Sequence, residues 1–333
     1  MQASEEAFVL AETARAYRRF AEVEARARSP LYETLARHVA DDVEVLRFLL
    51  TLPKEKRQPN LLLAAMRYLL GTPVDWGDFR RRLLGDCDAV RRLMLERSTQ
   101  TNEPARCATL LPVLAQLPQP LALIEIGAAA GLCLLPDYYG YDYGRVRIPP
   151  RSMGMSAAVL PCAASPGTPL PHAVPRIAWR AGLDLHPLSV FEPQHKAWLE
   201  ALVWPEQTER LERLRAAIEI AQMAKPRVVE GDLRTDLARL VGEAPPDATL
   251  VVFHTAVLSY IASPTDRETF ASEASRLAAY WVANESPTVF PEISRRAGPL
   301  RKGFLLSVNG APIAWTDPHG ASLEWISDLP RFD

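Results

Sequence analysis

An acidic side chain, Glu125, lies two residues before a segment that has almost no side chains, Gly127-Ala-Ala-Ala-Gly131. The apolar run before the glycine, 121–126, predicts a buried strand that turns sharply into a helix. Small residues at such a turn let a ligand approach the backbone, and the first amides of the helix can bind a carboxylate or phosphate. In an open α/β sheet this turn lies at the carboxyl edge, where ligands bind.

The charge of Glu125 indicates which ligand the turn would take. A carboxylate repels a pyrophosphate but attracts the amino group or sulfonium of S-adenosylmethionine (SAM). The spacing Gly-x-x-x-Gly also differs from the Gly-x-Gly-x-x-Gly of dinucleotide folds, so the chemistry favours SAM over NAD as the cofactor. Turns of this composition also occur without a ligand, and a purely structural turn is the alternative. The predicted cofactor contacts in this segment are Glu125, Gly127, Ala128, Ala129 and Gly131.

Length, charge and cysteine content limit the class of protein. The chain has 333 residues, enough for about two domains, and 48% of them are hydrophobic. Its net charge is −2, which gives no electrostatic indication of nucleic-acid binding. The start is acidic, no apolar run reaches the roughly 18 residues of a membrane span, and the four cysteines form no Cys-x-x-Cys pair. We expect a cytoplasmic monomer or homodimer that binds a small-molecule substrate, and no membrane, nucleic acid or metal ion.

Two hydrophobic patterns divide the chain near residue 118. Before it, apolar residues recur at helical spacing, which predicts an N-terminal helical domain over 1–118 that serves as a lid or substrate region. From residue 121, strand and helix patterns alternate, which predicts an α/β domain over 119–333 with a mostly parallel sheet. The predicted strands are 121–126, 177–183, 227–230, 249–254 and 279–284, and the predicted helices are 193–203, 206–224, 234–241 and 265–278.

The C-terminal segment has the signature of a hairpin. Asn309-Gly310 separates two short apolar runs, which strongly indicates two antiparallel strands joined by a tight turn. Five parallel strands followed by such a hairpin are the layout of the Rossmann-like class I methyltransferase fold, which is therefore the predicted fold.

A proline-rich insertion over residues 138–175 interrupts the alternation. A loop of this length inside a compact domain is often functional, so the insertion is a candidate cover for the ligand crevice. Its Tyr141 and Tyr143 are candidate substrate contacts that would stack on an aromatic ring. Alternatively, these tyrosines anchor the insertion to the edge of the sheet.

Polar residues also follow the other predicted strands. Asp184 follows the second strand, where an acid commonly accepts hydrogen bonds from ribose hydroxyls; a helix cap is the alternative. Asp232 follows the third strand and is a candidate acceptor for an adenine amino group, or else a turn residue. Asn284 ends the fifth strand and is a candidate contact for a substrate amine, or else only begins a loop.

Two residues at the strand ends are candidate catalytic bases, and three residues before the first strand are candidate substrate contacts. His254 ends the fourth strand, which borders the reacting centre in this fold, and Glu285 ends the fifth. A lone histidine in this position is more often a hydrogen-bonded packing residue, and that interpretation stays open. From their chain order, Asn102, Glu103 and Arg106 are candidate substrate contacts above the crevice.

Several short motifs together resemble one family. They are Arg57-Gln-Pro-Asn-Leu-Leu-Leu63, Thr99-Gln-Thr-Asn-Glu103, the Glu125-to-Leu132 turn, Tyr141-Asp-Tyr-Gly144, Leu202-Val-Trp-Pro-Glu206, Val251-Val-Phe-His254 and Asp317-Pro-His-Gly320. Over nearly the whole chain they resemble the bacterial domain-of-unknown-function family two-three-three-two. The resemblance implies a helical region joined to a methyltransferase-like α/β domain, and it supplies no substrate. The fourth strand lacks the Asn/Asp-Pro-Pro-aromatic signature of enzymes that methylate amino groups of bases or amides.

These features together predict a SAM-dependent methyltransferase of a small molecule. The substrate would attack the sulfonium methyl in line, and the enzyme would act mainly by positioning the two reactants. The alternative is a catalytically inactive sensor of SAM or another nucleoside, or an interaction module, because the chain has no recognisable catalytic signature. A nicotinamide-dependent enzyme is disfavoured by Glu125, and also because the turn lacks the central glycine of the dinucleotide motif Gly-x-Gly-x-x-Gly.

Overall fold

The computed structural model of the chain describes residues 2–100, 102–151 and 158–329. Contacts group the chain into two compact units. One is a helical unit of Met1–Thr101 and Glu192–Glu212, and the other is an α/β unit of Asn102–Phe191 and Arg213–Asp333. Within the described ranges, no helix combines the length and the apolar character that crossing a bilayer requires.

The secondary structure follows the sequence patterns closely. The described α-helices are α1 (Gln2–Arg19), α2 (Pro30–Asp41), α3 (Val43–Leu50), α4 (Pro59–Leu70), α5 (Trp76–Gly85), α6 (Cys87–Glu96), α7 (Arg106–Leu114), α8 (Pro193–Ala201), α9 (Thr208–Ala224), α10 (Leu237–Val241), α11 (Pro264–Leu277) and α12 (Pro291–Arg296). The described strands are β1 (Leu121–Ile126), β2 (Gly140–Asp142), β3 (Arg147–Ile148), β4 (Val159–Pro161), β5 (Ala163–Ala164), β6 (Ile177–Asp184), β7 (Val228–Glu230), β8 (Thr249–Thr255), β9 (Tyr280–Glu285), β10 (Phe304–Val308), β11 (Ala311–Thr316) and β12 (Ser322–Trp325).

Short polar side chains start several helices of the helical unit. The hydroxyl of Ser29 accepts a hydrogen bond from the Tyr32 amide at 3.1 Å and so caps α2. Asp42 does the same for α3, because its Oδ1 accepts from two amides of the first turn. Glu206 accepts a hydrogen bond of 2.6 Å from the Ser29 hydroxyl, which ties the segment after α8 to the start of α2.

The α/β unit is built on a nine-stranded sheet with the order β5-β12-β11-β10-β9-β8-β1-β6-β7. Five strands that are neighbours in the sheet, β7, β6, β1, β8 and β9, run parallel to one another. Beyond β9, the strands β10, β11 and β12 continue the sheet as an antiparallel meander. All five predicted parallel strands and all four predicted helices are present, with bounds that differ by three residues at most. The predicted Asn309-Gly310 turn joins β10 to β11, which confirms the hairpin. The parallel strands and the helices between them confirm the α/β architecture with a mostly parallel sheet.

The helix before the sheet, α7, belongs by its contacts to the α/β unit. Every residue of α7 is buried, whereas a helix at the surface of a bundle keeps a polar face. The helical period of this segment therefore does not mark it as part of an N-terminal bundle. Residues 102–118 are grouped by their contacts with the α/β unit. A domain boundary at residue 118 stays a prediction.

The insertion over 138–175 has secondary structure of its own. Strands β3, β2 and β4 form a small sheet, and β5 pairs with β12 at the edge of the main sheet. The expectation of a long loop is therefore wrong for this segment. Residues 152–157 of the insertion lie outside the described residues, as does Thr101 of the Thr99–Glu103 motif.

The two faces of the central strands differ in chemistry. One face carries Ile124 and Ile126, which belong to an apolar core shared with residues of α10 and α11. Side chains alternate along a strand, so Glu125 lies on the opposite face. The strand registers place Thr255 and Asn284 on that same face. A polar set of side chains therefore gathers on the Glu125 face at the carboxyl edge.

Candidate functional site

The turn after β1 does not lead into an α-helix, so that part of the prediction is wrong. It continues as one short 3₁₀ turn, Leu132–Leu134. Three of the five residues from Gly127 to Gly131 are left-handed, because φ is +67° at Gly127, +48° at Ala129 and +72° at Gly131. An α-helix needs consecutive right-handed residues, and these positions interrupt it.

The amides of this turn bond to the protein itself. Gly127 donates to the carbonyl oxygen of Leu183 at 2.8 Å. Asp184 accepts from the Ala129 amide through Oδ2 and from the His186 amide through Oδ1, both at 2.8 Å. The carboxylate that was predicted to bind ribose therefore holds the turn after β1 together with its own loop.

Asn102 closes the same turn from the other end. Its Nδ2 donates to the Ala128 carbonyl at 3.1 Å, and its Oδ1 accepts from the Leu132 amide at 3.0 Å. The Gly131 amide donates to the Ala128 carbonyl at 2.6 Å. The side chain of Asn102 thus supports the turn in this structure, and the amides of Gly127, Ala129, Gly131 and Leu132, which were expected to face a ligand carboxylate, are bonded within the protein.

The missing side chain at Gly127 makes room for a neighbouring residue. A Cβ atom built there would lie 2.5 Å from Cγ2 of Val257, which follows β8. Ala256, next to Val257, has a positive φ of +58°, an uncommon conformation for a residue with a side chain. The bend is therefore filled by Val257, and a ligand that reaches the Gly127 backbone has to displace it.

We predict that Gly127→Ala lowers the free energy of unfolding more than Gly144→Ala does. Both glycines have a positive φ, +67° and +76°, so both variants carry the strain of a left-handed alanine, about 1–2 kcal/mol. Only Gly127 has a close neighbour, Val257, and crowding adds about 1–3 kcal/mol. Urea denaturation of the two variants measures the difference. Equal losses would contradict the close packing at Gly127.

Glu125 is a buried acid without a full set of partners. It is 2% exposed, and its Oε2 has no hydrogen-bond partner among the described residues. Burial raises its pKa well above the usual range; the neighbouring Cys133 thiol raises it further and the Arg106 guanidinium lowers it. The carboxyl group is thereby shifted towards its protonated form.

Arg106 is a buried cation on the same face. It is 6% exposed; its Nε donates to the Pro318 carbonyl at 2.8 Å, and its Nη1 donates to the carbonyl and hydroxyl oxygens of Thr255 at 3.1 and 3.3 Å. No carboxylate of the described residues forms an ion pair with it. The guanidinium group is therefore fixed at the end of β8 by neutral oxygens alone.

Asn284 and Glu103 complete the buried polar set. The Oδ1 of Asn284 accepts from the Thr316 hydroxyl at 2.7 Å, and its Nδ2 donates to the Thr109 hydroxyl at 3.4 Å. Glu103 is 2% exposed and accepts from the Ala105 amide at 3.2 Å. In this structure, the side chains of Asn284 and Glu103 both form hydrogen bonds within the protein.

The remaining partners of this set were not predicted from the sequence. Thr255 and Pro318 hold Arg106, and they carried no signal of chemistry in the sequence. Pro318 belongs to the motif Asp317-Pro-His-Gly320, which the sequence marked only as a family resemblance; a Cβ atom at Gly320 of this motif would collide with the Ala105 carbonyl. That glycine lets the loop after β11 approach the start of α7 closely.

His254 and Glu285 form a separate pair on the opposite, apolar face. The Nε2 of His254 accepts from the Trp281 indole at 3.0 Å, and its Nδ1 lies 2.7 Å from Oε1 of Glu285. An indole is only a donor, so Nε2 carries the lone pair and Nδ1 carries the proton. His254 is fully buried, and neither ring nitrogen is open to a substrate proton. The structure thus favours the packing interpretation of this histidine.

Glu285 holds the loop after β8. Its Oε1 also accepts from the amides of Val257 and Leu258, at 2.8 and 3.1 Å. Its Oε2 is buried and has no hydrogen-bond partner among the described residues. In this arrangement Glu285 acts as an anchor for the loop that covers Gly127.

The other predicted residues have local partners. Asp232 pairs with Arg234, which lowers its pKa, and its bonds are those of a turn. Tyr141 and Tyr143 are buried, and their hydroxyls donate to the carbonyls of Pro136 and Ala108 at 2.5 and 2.7 Å. These bonds attach the insertion to the segment before it and to α7, and the alternative of an anchor at the sheet edge named other partners. A role of these residues in ligand binding stays a prediction.

The structure therefore defines an open-sheet α/β protein with a buried charged set at the carboxyl edge of β1 and β8. In the described ranges, no group of three or more His, Cys, Asp or Glu residues is arranged to hold a metal ion. A family model described as "Uncharacterized protein conserved in bacteria (DUF2332)" matches residues 14–325. The chain belongs to this family, as its motifs predicted. No curated protein and no solved structure matches the chain at a significant level.

Proposed function

We propose that this protein is a SAM-dependent methyltransferase of a small molecule, with its cofactor site beside Glu125. The observation that carries the proposal is the buried carboxyl group of Glu125, whose Oε2 has no partner among the described residues. Leaving a buried polar group unsatisfied costs about 1–3 kcal/mol. A cationic ligand beside Glu125 would remove this cost and restore the charge of the carboxylate.

The topology of the sheet supports the same place. The chain runs from β1 to β6 and β7 on one side and returns to β8 on the other side of β1. Strand order therefore reverses between β1 and β8, and ligands of open α/β sheets bind at such a switch point. Glu125 and Thr255 are at the carboxyl ends of these two strands. The five adjacent parallel strands support the finer fold assignment that we propose, a Rossmann-like methyltransferase domain.

The proposed reaction is a direct methyl transfer. The nucleophilic atom of the substrate forms a bond to the methyl carbon, the carbon–sulfur bond breaks, and sulfur keeps the electron pair as a thioether. Positioning the two reactants supplies most of the acceleration in such a step. Because both nitrogens of His254 are bonded within the protein, the nucleophile attacks with a lone pair that is already free, or it loses its proton to solvent.

Isothermal titration calorimetry tests the cofactor assignment. We expect SAM and S-adenosylhomocysteine to bind and NAD not to bind, because the pyrophosphate of NAD meets an acid at the turn. Formation of S-adenosylhomocysteine from SAM with a panel of small nucleophiles then tests the reaction. Failure of both SAM and S-adenosylhomocysteine to bind the folded protein would refute the proposal.

The occupied nitrogens of His254 favour a second candidate, a SAM or nucleoside sensor without catalysis. Such a protein binds the same ligands at Glu125 but produces no S-adenosylhomocysteine. Tight binding of SAM, with no turnover for any class of amine, thiol or hydroxyl acceptor, would support the sensor over the enzyme.

A further inference from the structure

Arg106, a cation, and Glu125, an acid whose pKa burial raises, lie on the same face of the sheet and do not form an ion pair. Arg106 is bonded to the oxygens of Pro318 and Thr255, and Glu125 has a buried oxygen without a partner among the described residues. The two groups are near enough for Arg106 to lower the pKa of Glu125. The bonds to Thr255 at the end of β8 place Arg106 on the face of the sheet that carries Glu125, and neither side chain forms a hydrogen bond to a charged group of the described residues.

A buried guanidinium group normally has an anionic partner, because removing a charge from water is expensive. Its planar set of donors matches the two oxygens of a carboxylate. The bonds to Pro318 and Thr255 fix the plane of Arg106 without neutralising its charge. A group held in this way is preorganised for an anion from outside the chain.

Most amides of the turn after β1 are bonded within the protein. The amides of Gly127, Ala129 and Leu132 donate to oxygens of the protein. These three donors are therefore not free for a ligand carboxylate, which favours another donor near Glu125. Arg106 is a donor of the right charge on the same face of the sheet.

We infer that Arg106 and Glu125 form a recognition site for an α-amino acid group, in which Arg106 binds the carboxylate and Glu125 binds the ammonium. The carboxylate and the ammonium of such a group are attached to one carbon atom. A ligand of this kind can therefore reach both the Arg106 guanidinium and the Glu125 carboxyl group, which lie on the same face of the sheet without forming an ion pair. The inference rests on the proposed function in one respect, since the methionine part of SAM is one source of the group. A free amino acid substrate is the other source.

Calorimetry with a set of ligands that differ in the amino acid group tests the inference. The set is SAM, decarboxylated SAM, 5′-methylthioadenosine, which lacks the amino acid part, and free methionine. We expect wild-type protein to bind SAM at least 100-fold more tightly than decarboxylated SAM, because the latter has no carboxylate for Arg106. This comparison needs no variant, so it does not depend on whether a substitution at Arg106 folds.

Variants assign the two charges to the two residues. Arg106→Lys keeps the charge but loses the planar donor set, and we expect it to reduce the preference for SAM over decarboxylated SAM about tenfold. Glu125→Gln is expected to weaken S-adenosylhomocysteine but to leave 5′-methylthioadenosine unchanged, because only the former carries the ammonium group. Circular dichroism and thermal melting establish that each variant is folded before it is titrated.

The outcomes separate the inference from the proposed function. Equal affinity for SAM and decarboxylated SAM would overturn the inference while leaving a SAM-binding protein. Binding of methionine or another free amino acid, without binding of SAM, would refute the SAM assignment but support the Arg106–Glu125 site. Binding of neither SAM nor any free amino acid would overturn both.

Discussion

Glu125→Gln is expected to remove the pH dependence of SAM binding. In the wild-type protein, burial keeps the Glu125 pKa well above its usual range, so a cationic ligand has to expel a proton. Below that raised pKa the apparent affinity should increase by up to about tenfold for each pH unit, and above it the affinity should level off. Glutamine has the same shape and no proton to lose, so the variant should bind weakly at every pH.

The same pKa shift predicts an opposite trend for stability. Because the folded-state pKa of Glu125 lies above its unfolded value, the stabilising contribution is complete below roughly pH 4.3, the unfolded pKa, and is lost as the pH rises through the folded pKa. Between those two pKa values, Glu125→Gln should gain stability relative to the wild type by about 1.4 kcal/mol per pH unit.

Urea denaturation measures the trend in the free energy of unfolding, and calorimetry measures the trend in the affinity for SAM. Both are run from about pH 5 to 7.5, because the α-amino group of the ligand stays protonated below its pKa of roughly 7.7–8.0. Glu230→Gln is the matched control, because Glu230 is an exposed glutamate of β7 in the same sheet. It should change neither trend. A wild-type affinity that is flat over this range, with a normal loss in Glu125→Gln, would show that Glu125 binds its ligand without changing its proton.

The elements of the sheet were predictable because their signals are local. An apolar run such as 121–126 and the Asn309-Gly310 turn depend on residues that are neighbours in the chain, and both have the predicted structure. The insertion was predicted less well. Its short strands pair with partners far along the chain, as β5 does with β12, and such pairings leave no local period.

The turn after β1 shows why a short motif is ambiguous. Glycine at position 127 is expected both where a ligand approaches the backbone and where a neighbouring side chain does, and here Val257 occupies the space. Val257 is 130 residues away in the chain, so the two possibilities give the same local sequence. The residue types alone did not distinguish them.

The buried set on the Glu125 face was predicted only in part. Asn102, Glu103, Arg106, Glu125 and Asn284 were named as ligand contacts, and all five are buried in the α/β unit. Three of them are ionisable and two are amides, and such side chains are rarely buried without a partner or a role. Their partners Thr255 and Thr316 carry no such mark, because a threonine in a strand fits a pleated surface equally well.

Glu285→Ala is expected to lower the free energy of unfolding by about 3 kcal/mol or more. Oε1 of Glu285 accepts hydrogen bonds from His254 and from the amides of Val257 and Leu258, and all three donors lose their acceptor in the variant. Each buried donor left unsatisfied costs about 1–3 kcal/mol, although water entering the cavity would reduce the total. Urea denaturation at pH 7 measures the loss.

Hydrogen exchange identifies where the loss arises. The amides of Val257 and Leu258 should exchange faster in Glu285→Ala, whereas the amides of β1 should change only as much as global stability requires. Glu285→Gln keeps one acceptor oxygen and should lose less. Glu125→Gln, on the other face of the sheet, should not lose stability at pH 7, since Oε2 of Glu125 accepts no bond from the described residues.

The two buried glutamates thus have opposite expected behaviour, although both are acids near the ends of parallel strands. Glu285 is bonded to backbone and imidazole donors and should be needed for folding, whereas Glu125 opposes folding at neutral pH and should be needed for binding. If Glu285→Ala were as stable as the wild type but bound SAM more weakly, Glu285 would be a ligand contact and not the anchor of the loop. If Glu125→Gln were strongly destabilised, the buried carboxyl group would be part of the folding core and the proposed site would be elsewhere.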